Sequence, residues 1–184
     1  MRQKPRLLLL DAGAVIGAFA CGGWEALCDA YHIVVPATVI GEARYYLDPG
    51  GNQQTIDLEP YIASGRIEVY EASAVELALT ISTLHPTIRD RIHAGELEAL
   101  TYLRLQVDKE GIAFISTDGV AIQVTHAFDA ADCALSLDAV LRKCGITKEL
   151  HHMYCDAFVA KHRQQGEILF LQGLLVSGPQ RPGG

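Results

Sequence analysis

The sequence predicts an α/β fold, a three-layer α/β/α arrangement around a central parallel sheet of about four or five strands. Two patterns indicate this class. The short apolar runs at Leu7–Leu10, 32–35 and Ile112–Ile115 are continuous, which is typical of strands buried on both faces of a parallel sheet. Segments with helical spacing separate these runs, so strands and helices alternate along the chain.

The remaining elements follow from local patterns and from residues that end helices. Residues 66–70 alternate between apolar and polar side chains, which predicts a strand at or near a sheet edge. The sequence Asp-Pro-Gly-Gly-Asn at 48–52 predicts a loop. We predict helices over 14–31 with a break near Gly22-Gly23, and over 36–47, 73–83, 94–107, 120–125, 130–143 and 148–165.

The predicted elements make up one domain over residues 1–165, with a C-terminal helical extension from about residue 146. Residues 166–184 contain an apolar run at 168–175, followed by a tail rich in Pro and Gly from 177 to 184. We expect this tail to be disordered.

Composition limits the classes of function. With 49% apolar and 20% charged residues, the chain has the composition of a globular protein. A formal net charge of −7 argues against a broad basic surface for nucleic acid, although a metal ion could cancel negative charge at an enzyme site. Five scattered cysteines without a CxxC pair favour reduced thiols and a cytoplasmic location. We expect no membrane association, because no apolar stretch is long enough to span a bilayer.

Four acidic residues lie beside segments that are predicted to be buried. Asp11 and Asp118 follow the first and last predicted strands, Glu42 lies in the helix after the second strand, and Glu96 begins a later helix. A buried carboxylate is costly unless it is neutralised, and ligands collect at the carboxyl ends of parallel strands. Carboxylates without His or Cys partners favour Mg²⁺ or Mn²⁺ over Zn²⁺. The sequence therefore predicts a shared metal site.

Helical geometry distinguishes Glu96 from its neighbour Glu98. Leu97, Leu100, Leu103 and Val107 form an apolar stripe on this helix. Glu96 lies roughly 35° from the centre of the stripe, whereas Glu98 lies roughly 165° from it. We therefore expect Glu96 to point inward and Glu98 to point to solvent.

Other interpretations of these residues remain open. Each acid taken alone could be a helix cap or a turn residue. Asp11-Ala12-Gly13 could belong to a haloacid-dehalogenase-type phosphatase, although Gly13 stands where that chemistry needs a second Asp. The cluster of His151, His152, Cys155 and His162 has no common zinc-site spacing, so we expect structural or surface roles there.

Arginine side chains are candidate contacts for phosphate groups. Only Arg44 lies near a proposed metal ligand, so it is our candidate for substrate binding. The others are expected to be solvated charges: Arg66, Arg89, Arg91 and Arg104.

The order of the acidic motifs resembles that of PIN domains, a family of metal-dependent ribonucleases that includes VapC-like toxins. The matching stretches are 8–14, 35–42, 95–100 and 115–118, and the resemblance spans residues 6 to about 145. The chain differs in having Gly13 and Ala14 where the family often has Ser or Thr, and Gly119 where some members have a further acid.

The resemblance implies a function and a set of site residues. Asp11, Glu42, Glu96 and Asp118 would bind one or two Mg²⁺ or Mn²⁺ ions, with Thr117 as an auxiliary polar group. The activity would be that of an endoribonuclease, in which metal-activated water cleaves RNA phosphodiesters. An antitoxin-like protein and a second copy of the chain are the expected protein partners. A different alternative is a PIN-fold binding protein with little or no nuclease activity.

Overall fold

A computed structural model describes residues 6–177 of the chain. Four strands form a parallel sheet in the order β5-β2-β1-β6, which confirms the predicted fold class. A separate antiparallel hairpin, β3 with β4, follows the second strand of this sheet. The strands are β1 Leu7–Leu10, β2 His32–Pro36, β3 Tyr45–Leu47, β4 Gln53–Thr55, β5 Ile67–Tyr70 and β6 Ile112–Ile115.

The described residues also form ten α-helices and three short 3-10 turns. The helices are α1 Ala12–Ala20, α2 Trp24–Ala30, α3 Ala37–Glu42, α4 Glu59–Ala63, α5 Ala74–Thr83, α6 Pro86–Arg89, α7 Ala94–Leu105, α8 Gly119–Val124, α9 Leu137–Lys143 and α10 Asp156–Leu171. The 3-10 turns are Thr125–Phe128, Ala131–Cys133 and His152–Tyr154. Within residues 6–177, we find no helix with the length and apolar character that a membrane crossing requires.

The central strand β1 divides the core into two layers, because successive side chains of a strand point to opposite faces. Leu8 and Leu10 pack with α1, α2 and α9 on one face of the sheet. Leu9 packs with α7 and α8 on the other face. All three leucines are fully buried, which places β1 at the centre of the α/β/α arrangement.

The prediction of a helix over 36–47 is wrong in its second half. Helix α3 ends at Glu42, and Tyr45–Leu47 form strand β3. Asp48 accounts for the change of direction, since its Oδ1 accepts hydrogen bonds from the backbone N–H groups of Gly50 and Asn52, both at 2.9 Å. The predicted loop at 48–52 thus closes a hairpin.

Two predicted helices after Asp118 have different bounds in the structure. In place of a helix over 130–143, a 3-10 turn is followed by α9, which begins where Ser136 Oγ accepts a hydrogen bond from the backbone N–H of Ala139 at 2.9 Å. The last helix, predicted over 148–165, begins at Asp156 and continues to Leu171.

The apolar run at 168–175 partly packs within the chain. Leu175 is fully buried, and the adjacent Val176 forms a β-bridge with Leu84. In contrast, Leu171 is 78% exposed. Of the tail that we predict to be disordered, residues 178–184 lie outside the described part of the chain.

Candidate functional site

Asp11 begins helix α1 directly after β1 and is almost fully buried. Its Oδ1 accepts a hydrogen bond from the backbone N–H of Ala14 at 2.6 Å. Its Oδ2 accepts hydrogen bonds from Ser116 Oγ at 2.7 Å and from the backbone N–H of Thr117 at 2.9 Å. Asp11 therefore caps α1 and also connects the ends of the two neighbouring strands β1 and β6.

Asp118 lies three residues past the end of β6 and begins helix α8. Its Oδ1 caps α8 by accepting hydrogen bonds from the backbone N–H groups of Val120 at 2.6 Å and Ala121 at 2.8 Å. The backbone N–H of Asp118 donates to Ser116 Oγ at 3.0 Å. Because Ser116 Oγ also donates to Asp11, this one buried hydroxyl links the two acidic residues.

Glu96 reaches the same edge of the sheet from the first turn of α7. Its Oε2 accepts a hydrogen bond from the backbone N–H of His93 at 2.8 Å. Glu42, at the end of α3, is exposed but close to this helix start. A Cβ atom on Gly95 would lie 3.0 Å from Glu42 Oε2, so Gly95 gives the Glu42 carboxylate room beside Glu96.

Three of the predicted ligands, Asp11, Glu96 and Asp118, form an acidic cluster. Burial raises the pKa of Asp11, its hydrogen bonds oppose this rise, and the charge of Asp118 adds to it. Burial also raises the pKa of Glu96, which the His93 backbone N–H opposes and the charges of Asp118 and Asp11 reinforce. The three carboxylates thus repel one another, and a bound cation would relieve that repulsion.

The donor chemistry of the acidic cluster fits Mg²⁺ or Mn²⁺, because all its side-chain donors are carboxylate oxygens. Across residues 6–177, however, no three Asp, Glu, His or Cys side chains converge closely enough to hold an ion together. Both oxygens of Asp11 and one oxygen of Asp118 accept hydrogen bonds from backbone or Ser116 donors. Binding one ion through all three carboxylates would therefore require their side chains to turn.

Thr117 packs against the first turn of α1. A Cβ atom on Gly13 would lie 2.0 Å from Thr117 Oγ1, so only glycine at position 13 accommodates this side chain. Gly13, one of the differences from the PIN pattern, therefore makes room for the Thr117 side chain. Thr117 lies beside the acidic cluster, because its backbone N–H donates to Asp11 Oδ2, and its role as an auxiliary polar group stays a prediction.

Arg44 is exposed near the end of α3, and its Nε donates a hydrogen bond to the backbone carbonyl of Gly41 at 2.6 Å. This contact satisfies a carbonyl near the C-terminal end of a helix. Arg44 stays a prediction as a substrate contact.

The expectation that Glu98 points to solvent is wrong. Glu98 is 5% exposed. Its Oε2 accepts hydrogen bonds from the backbone N–H of Thr38 at 3.0 Å and from Thr38 Oγ1, and its Oε1 accepts from the backbone N–H of Ala72 at 2.9 Å. The apolar stripe did not reveal this burial, because α7 also packs against α3 and α5, and the residues Thr38 and Ala72 cover the side on which Glu98 lies.

The C-terminal extension contributes two residues that sequence reasoning did not assign to this site. Tyr154 Oη donates a hydrogen bond to the backbone carbonyl of Gly13 at 3.3 Å, and burial and then the charge of Asp11 raise the Tyr154 pKa. His162 packs over Gly119, whose Cβ position would lie 2.3 Å from His162 Cε1. The glycines at 13 and 119 were the available sequence signals, because both mark close approaches.

The four residues considered as zinc ligands do not act together. His151 and His152 are exposed and contact each other, with ring centroids 4.2 Å apart. Cys155 donates weak hydrogen bonds to the carbonyls of Leu150 and His151. His162 lies beside α8 instead, so these four side chains do not form a shared metal site.

The fold and site together define an α/β protein with an acidic cluster at the carboxyl edge of its parallel sheet. Comparisons with protein-family models, curated proteins and solved structures find no match for this chain. The functional argument therefore depends on the residues themselves.

Proposed function

We propose that this chain is a divalent-metal-dependent endoribonuclease of the PIN type. The acidic cluster would hold Mg²⁺ or Mn²⁺, with Glu42 as a further ligand at its edge. Thr117 would be an auxiliary polar group and Arg44 a substrate contact. The order of the four short motifs and the fold class are both consistent with this assignment.

One observation carries the proposal: Asp11 and Asp118 follow paired neighbouring strands, and Glu96 comes from a third element to join them. Leu10 of β1 pairs with Ile115 of β6, so the residues after these strands lie at one edge of the sheet. Burial and mutual repulsion raise the pKa values of Asp11 and Glu96. A fold that needed only helix caps would gain nothing from that repulsion, whereas a cation site requires several carboxylates together.

The residues of the chain would orient the reaction. Ser116 and the backbone N–H of Thr117 hold the Asp11 carboxylate, and the α8 backbone holds that of Asp118. When bound, a divalent ion would supply charge stabilisation and activation of a water for attack on the phosphodiester.

The test combines RNA cleavage with metal binding. Purified protein is incubated with a fluorescent single-stranded RNA in Mn²⁺ and in EDTA, and the variants Asp118→Asn and Glu96→Gln are compared with it. Glu110→Gln is the matched control, because Glu110 is exposed before β6, at the opposite end of that strand. We expect Mn²⁺-dependent cleavage that the two site variants lose and the control keeps. Intact RNA in Mn²⁺ would refute the nuclease assignment.

A PIN-fold binding protein with little activity is the second candidate. It is favoured by the caps that Asp11 and Asp118 provide for α1 and α8, because a cap functions without a metal. Absence of cleavage together with a melting temperature unchanged by Mn²⁺ would select this candidate. No observation favours the phosphatase alternative, since Gly13 is closely packed against Thr117.

Partners and location complete the proposal. The free thiols of all five cysteines are consistent with a cytoplasmic protein. A second copy of the chain or an antitoxin-like protein would bind the exposed end of α10, where Leu171 and Ile168 lie on the surface. Size-exclusion mass measurement of the parent and of Leu171→Glu tests this: a dimer that the substitution dissociates supports the interface, and an unchanged mass rejects it.

A further inference from the structure

His162 is held beside the acidic cluster by contacts on three sides. Its ring packs over Gly119, next in sequence to Asp118. Phe158, one turn earlier on α10, contacts the ring with centroids 4.4 Å apart. Gln123 of α8 approaches the ring edge, with its Nε2 3.2 Å from His162 Nδ1.

The contact with Gln123 is the basis on which the proton of the His162 ring is assigned. The Gln123 amide nitrogen can only donate, and it donates to Gln165 Oε1 at 3.1 Å as well as to His162 Nδ1. Nδ1 is therefore assigned as the acceptor and Nε2 as the N–H donor. Burial lowers the pKa of His162, followed by the charge of Lys161, while Asp118 and Gln165 act in the opposite direction.

The position of His162 would give the site a hydrogen-bond donor for an RNA phosphate. The acidic cluster alone would repel an RNA phosphate, so a site for RNA needs a hydrogen-bond donor beside the cluster. A half-buried imidazole with a fixed N–H is a suitable donor to a phosphate oxygen. We propose that His162 is a substrate-binding residue of this site, whose Nε2–H donates a hydrogen bond to a phosphate oxygen of the RNA. This inference rests on the proposed nuclease function.

The close contact with Gly119 is what brings the ring to this place. A Cβ atom at position 119 would lie 2.3 to 2.7 Å from three atoms of the His162 ring, so any larger residue would displace it. Gln123 is 6% exposed, and its amide is used for the orientation of the ring. The C-terminal extension thus forms one wall of the site.

The experiment compares His162→Leu, which removes the donor, with His162→Gln, which can place an amide N–H near the position of Nε2. His32→Leu is the matched control, since His32 is an exposed histidine at the amino end of β2. Steady-state cleavage of a fluorescent single-stranded RNA in Mn²⁺ gives KM and kcat. Fluorescence anisotropy of the same RNA with Ca²⁺ in place of Mn²⁺ gives binding.

We expect His162→Leu to raise KM and weaken RNA binding by about tenfold, the effect of losing one hydrogen bond to a charged group. kcat should change little, and His162→Gln and His32→Leu should resemble the parent. Gly119→Ala, which displaces the ring without changing its chemistry, should also raise KM. This second variant keeps the test valid if His162→Leu unfolds.

The outcomes separate the two proposals. If the parent cleaves RNA and both His162→Leu and Gly119→Ala bind it as well as the parent does, the role of His162 is overturned and the nuclease function stands. If the parent binds RNA without cleaving it and His162→Leu weakens that binding, the contact is supported and the nuclease step fails. A parent that neither binds nor cleaves RNA overturns both.

Discussion

Glu98 on α7 accepts a hydrogen bond from the backbone N–H of Thr38 at 3.0 Å, so a buried carboxylate secures the first turn of α3. Its other oxygen accepts from the backbone N–H of Ala72 after β5. Glu96, two residues earlier, instead accepts one hydrogen bond and faces two other acids. Two neighbouring glutamates on one helix therefore have different roles, one structural and one at the candidate site.

Replacing each glutamate by glutamine should separate these roles. Glu98→Gln retains only one carbonyl oxygen for three donors, so we expect the free energy of unfolding to fall by about 1–3 kcal/mol. Glu96→Gln keeps an oxygen for the His93 N–H and loses the repulsion from Asp11 and Asp118, so its metal-free stability should be no lower than that of the parent. Urea unfolding in EDTA measures both, and equal losses would contradict the assignment.

The pH dependence of stability should reveal the repulsion within the acidic cluster. Burial first, and then neighbouring acids, raise the pKa of Glu96 above 4.5, so this group favours the folded state at low pH. That contribution is complete below the unfolded pKa and is lost as pH rises through the folded pKa. The stability of Glu96→Gln relative to the parent should therefore increase from about pH 4.5 upward. Urea unfolding across this range tests the sign, and a difference that decreases with pH would refute it.

Divalent ions should offset the destabilisation that the ionised carboxylates of the acidic cluster cause in the metal-free protein. Mn²⁺ binds ionised carboxylates, so we expect it to raise the melting temperature of the parent more at neutral than at acidic pH. The Glu96→Gln variant should show a smaller rise, and Glu110→Gln should match the parent. Thermal unfolding with Mn²⁺ or EDTA provides the measurement. Equal rises in parent and Glu96→Gln would exclude Glu96 as a ligand.

Position 13 should not tolerate a side chain. The Cβ atom of Gly13→Ala would lie 2.0 Å from Thr117 Oγ1, so we expect a loss of about 1–3 kcal/mol in unfolding free energy. Combining it with Thr117→Ala should restore part of that loss, because the two residues share one contact. Gly41→Ala is the matched control, since nothing lies within 4 Å of its Cβ position. Additive losses in the double variant would show that the contact is not the cause.

Within the apolar run at 168–175, the buried Leu175 should contribute more to stability than the exposed Leu171. Leu175 is fully buried, so Leu175→Ala should lower the free energy of unfolding by about 2–5 kcal/mol. Leu171 is 78% exposed, and Leu171→Ala should change it by less than about 0.5 kcal/mol. Chemical denaturation of both variants provides the comparison. Similar small effects would mean that residues after α10 do not pack on the domain.

The sheet was predictable because each of its strands has a local signature. Leu7–Leu10 and Ile112–Ile115 are continuous apolar runs, and the alternating pattern of β5 correctly indicated an edge strand. The parallel arrangement then brings residues after β1 and β6 together, so the proximity of Asp11 and Asp118 also followed from the sequence.

Features that depend on distant partners were not predictable. The burial of Glu98 results from Thr38 and Ala72, which lie in other elements and cover the side of α7 that the apolar stripe left open. The position of His162 depends on the packing of α10 against α8, and the sequence pattern within either helix does not indicate that packing. Close approaches at Gly13 and Gly119 became interpretable only with their partners in place.

The pairing of β1 with β6 has a consequence for how the molecule folds. The Ser116 hydroxyl that binds Asp11 lies 105 residues further along the chain, and β1 cannot complete its central place in the sheet until β6 is available. Long-range pairing of this kind costs loop-closure entropy early and slows folding. During synthesis, β1 and Asp11 can therefore reach their final contacts only after β6 and Ser116 have emerged. The core and the candidate site are then completed in the same late step.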